Sequence, residues 1–319
     1  MDAANVVFFG SGSLGVPCLQ ELARRGCIDV VVSQPDRPAG RGRVSTPTPI
    51  SVAALECGLK LIRTDNANQL ETRDQCARAK VIVVIAFGQK LLPELIADRV
   101  AINLHPSALP KWRGAAPIQR AMMAGEQRIT ACAMAVAERM DAGAIYARHN
   151  FELGATETAG ELHDRIARDS VEMMLQTIER ARVGAIIGQE QIDAHATRAM
   201  KLSKSEAYVD FAQPAQLVRC RIHGLAPWPG CDAEISGEPI RLLRVREVSV
   251  NSAALSAAPS ANLPGEILQG GFVACGVGAI EIMQVQPVGG RAMAWQDFCR
   301  GRSIQMGQRM TSAPRKEQT

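Results

Sequence analysis

Four short runs of β-branched and apolar residues, interrupted only by Asp29, restrict what this chain can fold into: Val6-Val7-Phe8-Phe9, Ile28 to Val32, Ile82-Val83-Val84-Ile85 and Val100-Ala101-Ile102. None alternates with polar residues, so strands built from them must be covered on both faces. Stretches of helical spacing lie between them. The pattern predicts a parallel sheet packed between helices, an α/β domain of Rossmann-like type. Thr158 and Glu161 form a capping-box pattern ahead of helically spaced Leu162, Ile166 and Ile178, which predicts one helix from Ala159 to Arg182. Residues 184–207 sustain no period. After them come short runs punctuated by Gly and Pro: Ile240 to Val245, Gly265-Glu266-Ile267-Leu268, Phe272-Val273-Ala274 and Ile280-Glu281-Ile282. These predict a small OB-like β-barrel. The expected division is an α/β domain over 1–188, a linker over 189–207 and the barrel over 208–312.

Composition narrows the function classes. Aromatic residues make up 4% of the chain, which disfavours a protein built on base-stacking platforms. The net charge is +4, with most of the surplus after residue 199, a mild lean compatible with a polyanionic partner. Nine cysteines lie scattered without a C-x-x-C pair, as in a reducing compartment. Cys18, Cys27, Cys57 and Cys132 sit in apolar stretches and read as small core hydrophobes. No basic-then-apolar leader opens the chain, and the longest apolar run, Val81 to Phe87, is too short to span a bilayer. The expected location is the cytoplasm, with no membrane partner.

The first run leads into Gly10-Ser11-Gly12-Ser13-Leu14-Gly15, a G-x-G-x-x-G pattern, and Asp36 lies about where an acidic ribose ligand could sit. One reading is a dinucleotide-dependent oxidoreductase. The other is that the glycines merely permit a tight strand-to-helix turn. A richer constellation stands downstream.

Asn103-Leu104-His105-Pro106-Ser107-Ala108-Leu109-Pro110 directly follows the fourth run and continues into Lys111-Trp112-Arg113-Gly114-Ala115-Ala116-Pro117-Ile118-Gln119-Arg120. Residues just past a strand's C-terminal end line the ligand crevice of an open parallel sheet. Two apart, Asn103 and His105 can both face that crevice. An amide donor beside an imidazole suits a reaction that develops an oxyanion and moves a proton. Alone, an N-x-H would be better read as a capped polar turn. The extended run, however, resembles the signature of the folate-dependent formyltransferases, and Asp141-Ala142-Gly143 resembles that family's Asp-Thr-Gly. The resemblance implies Asn103, His105 and Asp141 as the catalytic trio. It implies Phe87, Gly88, Ser107, Ala108, Leu109 and Pro110 as folate-binding positions and 10-formyltetrahydrofolate as co-substrate. No metal is required, and His149, His163, His195 and His223 are expected on the surface or in packing.

Further stretches narrow the acceptor. Ser33 to Arg43 resembles the basic loop of the family branch whose acceptor is initiator methionyl-tRNA, and Lys201-Leu202-Ser203-Lys204 with Pro227-Trp228-Pro229 resembles its linker and C-terminal domain. This implies tRNA contacts by Arg37, Arg41 and Arg43, and a monomer. Spaced among Pro and Gly, these arginines are expected to project from an irregular loop suited to phosphate contact. Some positions depart from the family pattern: Pro106 and Ala142 replace the usual Gly and Thr, and Phe87 stands where Tyr is common. Competing readings are a formyltransferase acting on a sugar-nucleotide amine, the dinucleotide oxidoreductase, and a non-catalytic RNA-binding paralogue.

If the basic loop grips the acceptor stem, Arg41→Ala weakens kcat/KM for methionyl-tRNA while folate binding holds. Arg41→Lys restores only part of the loss, because an ammonium lacks the guanidinium's planar fork. A salt series of kcat/KM beside a folate fluorescence titration checks this, and wild type is expected to lose more with salt than the alanine variant.

Overall fold

The computed structural model describes residues 6–39, 44–248 and 263–312. The chain divides into two units. The first takes Met1–Gly114, Ile129–Phe151 and His163–Arg198, and the second takes Ala115–Arg128, Glu152–Leu162 and Ala199–Thr319.

The first unit is built on a 7-stranded sheet. From edge to edge its strands are Ile145–Glu152, Arg128–Ala135, Val100–His105, Val81–Ile85, Val6–Gly10, Ile28–Ser33 and Leu61–Arg63. All four predicted runs are strands, paired in parallel: Val6–Gly10 lies between Ile28–Ser33 and Val81–Ile85. Burying one Val or Ile side chain stabilises by roughly 1.5–3 kcal/mol, and Val6, Val7, Val31, Val32, Ile82 and Val83 are all fully buried. Runs apolar on both faces therefore take the centre of the sheet. The sequence reading passed over Leu61–Arg63, a short, partly exposed edge strand with Leu61 opposite Val31. On the other side the sheet is mixed: Arg128–Ala135 runs antiparallel to Val100–His105, with Met134 opposite Asn103.

Two further expectations are adjusted. The helix predicted over Ala159 to Arg182 is two helices, Ala159–Asp169 and Val171–Arg182, separated at Ser170. Ser170 is buried and its hydroxyl has no partner among the described residues. The capping box is present: the Thr158 N–H donates to Glu161 Oε2 at 2.9 Å, and the Glu161 N–H to Thr158 Oγ1 at 3.4 Å. Among the cysteines, Cys18 and Cys132 are core residues, but Cys57 is exposed and Cys27 half-buried. Cys57 caps the end of the helix Pro49–Glu56, where an apolar neighbourhood in sequence does not mean burial in space.

In the second unit the strands Cys231–Ile235, Glu238–Val248 and Ala279–Pro287 form an antiparallel meander. Met310–Ser312 extends it at one edge and Val273–Ala274 at the other. Residues Gly265 to Ile267 join those edges. The Gly265 N–H donates to Ala274 O at 2.8 Å, the Met310 N–H to Gly265 O at 2.7 Å, and Ile267 bridges Val273. The sheet thereby curls into a barrel, which leaves little unpaired edge. Its interior is filled by Ile235, Leu242, Val245, Ile280 and Val285, with Val218 and Ile222 of the helix Ala215–Leu225.

That helix also carries His223, which is 1% exposed. Its Nε2 accepts the Val245 N–H at 3.1 Å, so the proton of the neutral ring sits on Nδ1, which has no partner among the described residues. Burial, with the Arg219 and Arg244 guanidiniums, pushes its pKa down from 6.5 to about 4. Between those values the unfolded chain binds the proton and the folded chain does not. Stability from this group is therefore complete above the unfolded value and declines as pH falls toward 4, by about 3 kcal/mol in all. His223→Gln keeps an acceptor for Val245 and removes the titration, so its melting temperature is expected to fall less than that of wild type between neutral and acid pH in a thermal-unfolding series.

Candidate active site

Asn103 and His105 belong to the strand Val100–His105 itself rather than to the turn beyond it. Strand alternation puts both on one face, with Ile102 and Leu104 buried on the other. The strand extends past its β-branched residues because the backbone there pairs with Cys132 and Met134 of the antiparallel neighbour. Among the described residues nothing hydrogen-bonds the half-buried Asn103 amide.

His105 is 5% exposed. Its Nε2 lies 3.1 Å from the carbonyl oxygen of Trp112, which can only accept, so Nε2 carries a proton. Its Nδ1 faces Asp141 Oδ1 at 3.7 Å, ion-pair range but longer than a hydrogen bond. A proton arriving at Nδ1 is thus met by an anion. Asp141 Oδ2 accepts the backbone N–H of Gly114 at 2.9 Å. The trio expected from sequence therefore includes a geometrically paired His105 and Asp141, with Asn103 one alternate position back.

Two non-glycine residues at this pair have left-handed backbone: Trp112 (φ 63°), whose carbonyl meets His105, and Asp141 itself (φ 52°). Such conformations are uncommon outside glycine and cluster at functional sites. Asp141 lies in the connection between Arg128–Ala135 and Ile145–Glu152, where a short polar side chain tolerates the conformation best. Gly143 pins the same connection to the sheet, since a Cβ there would lie 2.0 Å from the Ala135 carbonyl oxygen.

The residues expected to bind folate take different positions. Phe87 is 2% exposed and packs edge-on against Phe9 at 5.3 Å, so its ring belongs to the core. Ser107 is buried with its hydroxyl committed to Lys111 O at 2.8 Å. Leu109 packs with Cys132, Met134 and Ile145. Gly88, Ala108 and Pro110 stay at least partly exposed. Gly88 has φ 81° and a Cβ there would meet Gln34 Nε2 at 2.7 Å. Gln34 Nε2 in turn donates to Phe87 O at 2.6 Å, beside Ser11 Oγ at 3.3 Å.

The basic segment is not an irregular loop at its start. Arg37 begins a short strand, Arg37–Ala39, antiparallel to Val44–Thr46, because Arg37 and Pro38 register with Thr46 and Ser45. Arg37 is exposed; Arg41 and Arg43 lie outside the described residues. The glycine fingerprint is accounted for by packing. A Cβ on Gly12 would lie 2.9 Å from Ala86, and one on Gly10 2.8 Å from the Phe8 ring. Asp36 pairs with Arg63 at 3.1 Å.

Sequence reasoning missed several participants. The Trp112 carbonyl and Gly114 N–H are backbone groups within the quoted run, hidden because side chains alone were weighed. Arg113 was visible there, but its partner Gln191 was not: Gln191 lies in the aperiodic stretch, and its Nε2 donates to Asp141 O at 2.9 Å. The second half of the run acts elsewhere. Arg120 forks onto Glu206 at 2.6 and 3.0 Å, within the second unit.

A formyl transferase family profile matches residues 4–178, and a profile for the formyl transferase C-terminal domain matches residues 201–303. The chain belongs to the formyl transferase family. It is 36% identical to the methionyl-tRNA formyltransferase of Cereibacter sphaeroides over 97% of this chain and 99% of that one. It is 37% identical to the methionyl-tRNA formyltransferase of Halorhodospira halophila over 96% and 99%. Among solved structures, the methionyl-tRNA formyltransferase of Clostridium thermocellum superposes with a TM-score of 0.54 at 14% identity, covering 78% of this chain and 95% of that one. An N-formyltransferase of Helicobacter canadensis, in complex with folinic acid and dTDP-3-aminofucose, superposes with 0.65 at 13% identity, covering 88% and 98%.

Because the Asp141 connection rests against the Ala135 carbonyl, Gly143→Ala forces it outward. Such overpacking costs about 1–3 kcal/mol, so denaturant unfolding is expected to show a lowered midpoint, and turnover to fall further than stability alone explains.

Proposed function

We propose that the chain transfers the formyl group of 10-formyltetrahydrofolate to the α-amino group of initiator methionyl-tRNA, as a cytoplasmic monomer. The observation that carries the chemistry is the open Asn103 amide beside the His105–Asp141 pair on one strand end. The acceptor assignment is supported by relatives of that name matching along nearly the whole chain, the second unit included.

A free α-amino group titrates at about 7.7–8.0, so a useful fraction is already neutral near neutral pH. Its nitrogen attacks the formyl carbon, forming the new C–N bond and a tetrahedral carbon whose oxygen becomes anionic. Asn103 donates to that oxygen, and the His105 Nε2–H, shared with the Trp112 carbonyl, is the second donor. The proton lost by the attacking nitrogen passes to Asp141, directly or through water. Collapse restores the C=O bond and breaks the bond to the folate nitrogen, which leaves as tetrahydrofolate with the proton that Asp141 gives up, directly or through water. Holding both reactants makes an oriented, effectively unimolecular step of a bimolecular one. Gly88, Ala108 and Pro110 are the positions available to touch the folate, while Phe87, Ser107 and Leu109 shape the wall from behind. Arg37, Arg41 and Arg43 contact the tRNA, and the barrel over 208–312 forms its second anchor.

A sugar-nucleotide amine is the second reading, favoured by the superposition on the sugar-nucleotide complex. That likeness reaches only the fold, at 13% identity. An acid-gel assay of charged initiator tRNA with and without 10-formyltetrahydrofolate, beside a dTDP-amino sugar, separates the two. Formylation of the sugar alone would overturn the proposed acceptor. Asn103→Ala is expected to lower kcat by roughly 10²–10³ with little change in KM, since the oxyanion exists only beyond the ground state. A KM defect at normal kcat would move Asn103 to substrate binding.

A further inference from the structure

We propose that Gln191 is a positioning residue for formyl transfer: its carboxamide ties the Arg113 guanidinium to the backbone around Asp141 and thereby fixes the carboxylate that faces His105. The proposal rests on the reading of Asp141 given above.

Every polar atom of the carboxamide is committed. Nε2 donates to Asp141 O at 2.9 Å and to Gly143 O at 2.7 Å. Oε1 accepts from Arg113 Nε at 3.1 Å and Nη2 at 2.7 Å. A guanidinium only donates and the two carbonyls only accept, so the amide fits in one orientation. The guanidinium is 12% exposed on its side chain and also meets Asp193 Oδ1 at 2.9 Å. Contacts to a charged donor in a partly dehydrated setting are among the stronger hydrogen bonds.

These bonds close a ring. Gly114, next in the chain after Arg113, donates its N–H to Asp141 Oδ2 at 2.9 Å. The Arg113 N–H itself is fixed on Thr197 O at 2.9 Å. Asp141 is therefore held twice from one dipeptide: at its carboxylate by Gly114, and at its carbonyl by Arg113 through Gln191. The second hold matters because Asp141 has φ 52°, a conformation that persists only where surroundings enforce it. Freed, the residue relaxes toward right-handed φ and its carboxylate swings. The 3.7 Å separation from His105 Nδ1 leaves little room for that. No side chain of other chemistry fills the place: glutamate sets an anion against two carbonyls, and asparagine is a methylene too short.

The test uses Gln191→Glu and Gln191→Leu, each alone and combined with Asp141→Asn, assayed with charged initiator methionyl-tRNA and 10-formyltetrahydrofolate. Each single variant is expected to lose roughly tenfold or more in kcat with both KM values within about twofold, as for a group acting on the transition state through geometry. In the Asp141→Asn background the same substitutions are expected to have little further effect. The Arg113 guanidinium keeps the carboxyl of Gln191→Glu ionised, so that side chain offers the Asp141 and Gly143 carbonyls no donor and its loss in kcat is expected to persist between about pH 8 and about pH 5.5. Where thermal melting shows Gln191→Leu unfolded, Gln191→Glu and its combination with Asp141→Asn carry the test. Wild-type kcat in Gln191→Glu overturns the proposal, as does a loss of equal size in both backgrounds, which marks a role in the fold alone. Wild-type kcat in Asp141→Asn by itself removes the underlying reading of Asp141 instead, a result distinct from both.

Discussion

An anion held against a nearly buried imidazole must find in the protein what it gave up in water. At Asp141 the replacement is spare: one backbone N–H on Oδ2, the His105 ring facing Oδ1, and 13% of the side chain left exposed. The rest of the first unit's loop structure follows from supplying that environment. The turn after His105 runs through left-handed Trp112 so that its carbonyl returns to Nε2 and Gly114 points at the carboxylate. The connection carrying Asp141 must come close enough to meet them, which is why Gly143 sits flat on the adjacent strand. Trp112 and Asp141, with left-handed backbone, each cost of order 1–3 kcal/mol. They are offset by the sheet below, whose central strands are apolar on both faces.

The family signature is not one functional unit. Its first half ends a strand on Asn103 and His105, while its second half, from Ala115 to Arg120, anchors an ion pair in the other unit. The glycine-rich turn is likewise displaced from its familiar use. Gly10, Gly12 and Gly15 lie against Phe8, Ala86 and Ile85, so side chains are absent there because neighbouring elements occupy the space. Ser11 and Gly12 donate their N–H groups to the Ala86 carbonyl, which spends on the protein the donors that a pyrophosphate would otherwise use.

Much of this was legible from residue order, for identifiable reasons. Central strands announce themselves because burial on both faces excludes polar residues, and the Thr158–Glu161 box because two backbone groups need those side chains. The edge strand Leu61–Arg63 escaped notice because one open flank permits Arg63. The packing of Phe87 onto Phe9 is not written in the residue order either, since Phe87 lies beyond the strand and Phe9 is some 80 residues away. Gln191 gave no signal: its role depends on two carbonyl oxygens some 50 residues earlier, and neither periodicity nor composition records where a loop returns.

The alternation of chain segments between the units has a topological consequence. The helix Pro117–Met123 packs on Ala215–Leu225, with Gly224 pressed to Gln119 O and Met123, although the two are separated by the segments that complete the α/β sheet. The units are thus threaded through one another in sequence, and no single cut yields two self-sufficient pieces. A chain ending near residue 199 keeps the whole strand Val100–His105 yet leaves Ile118, Ala121 and Met122, now buried, without the helix that shields them. An element in the first half of the chain therefore depends for its burial on residues that follow it by about a hundred positions.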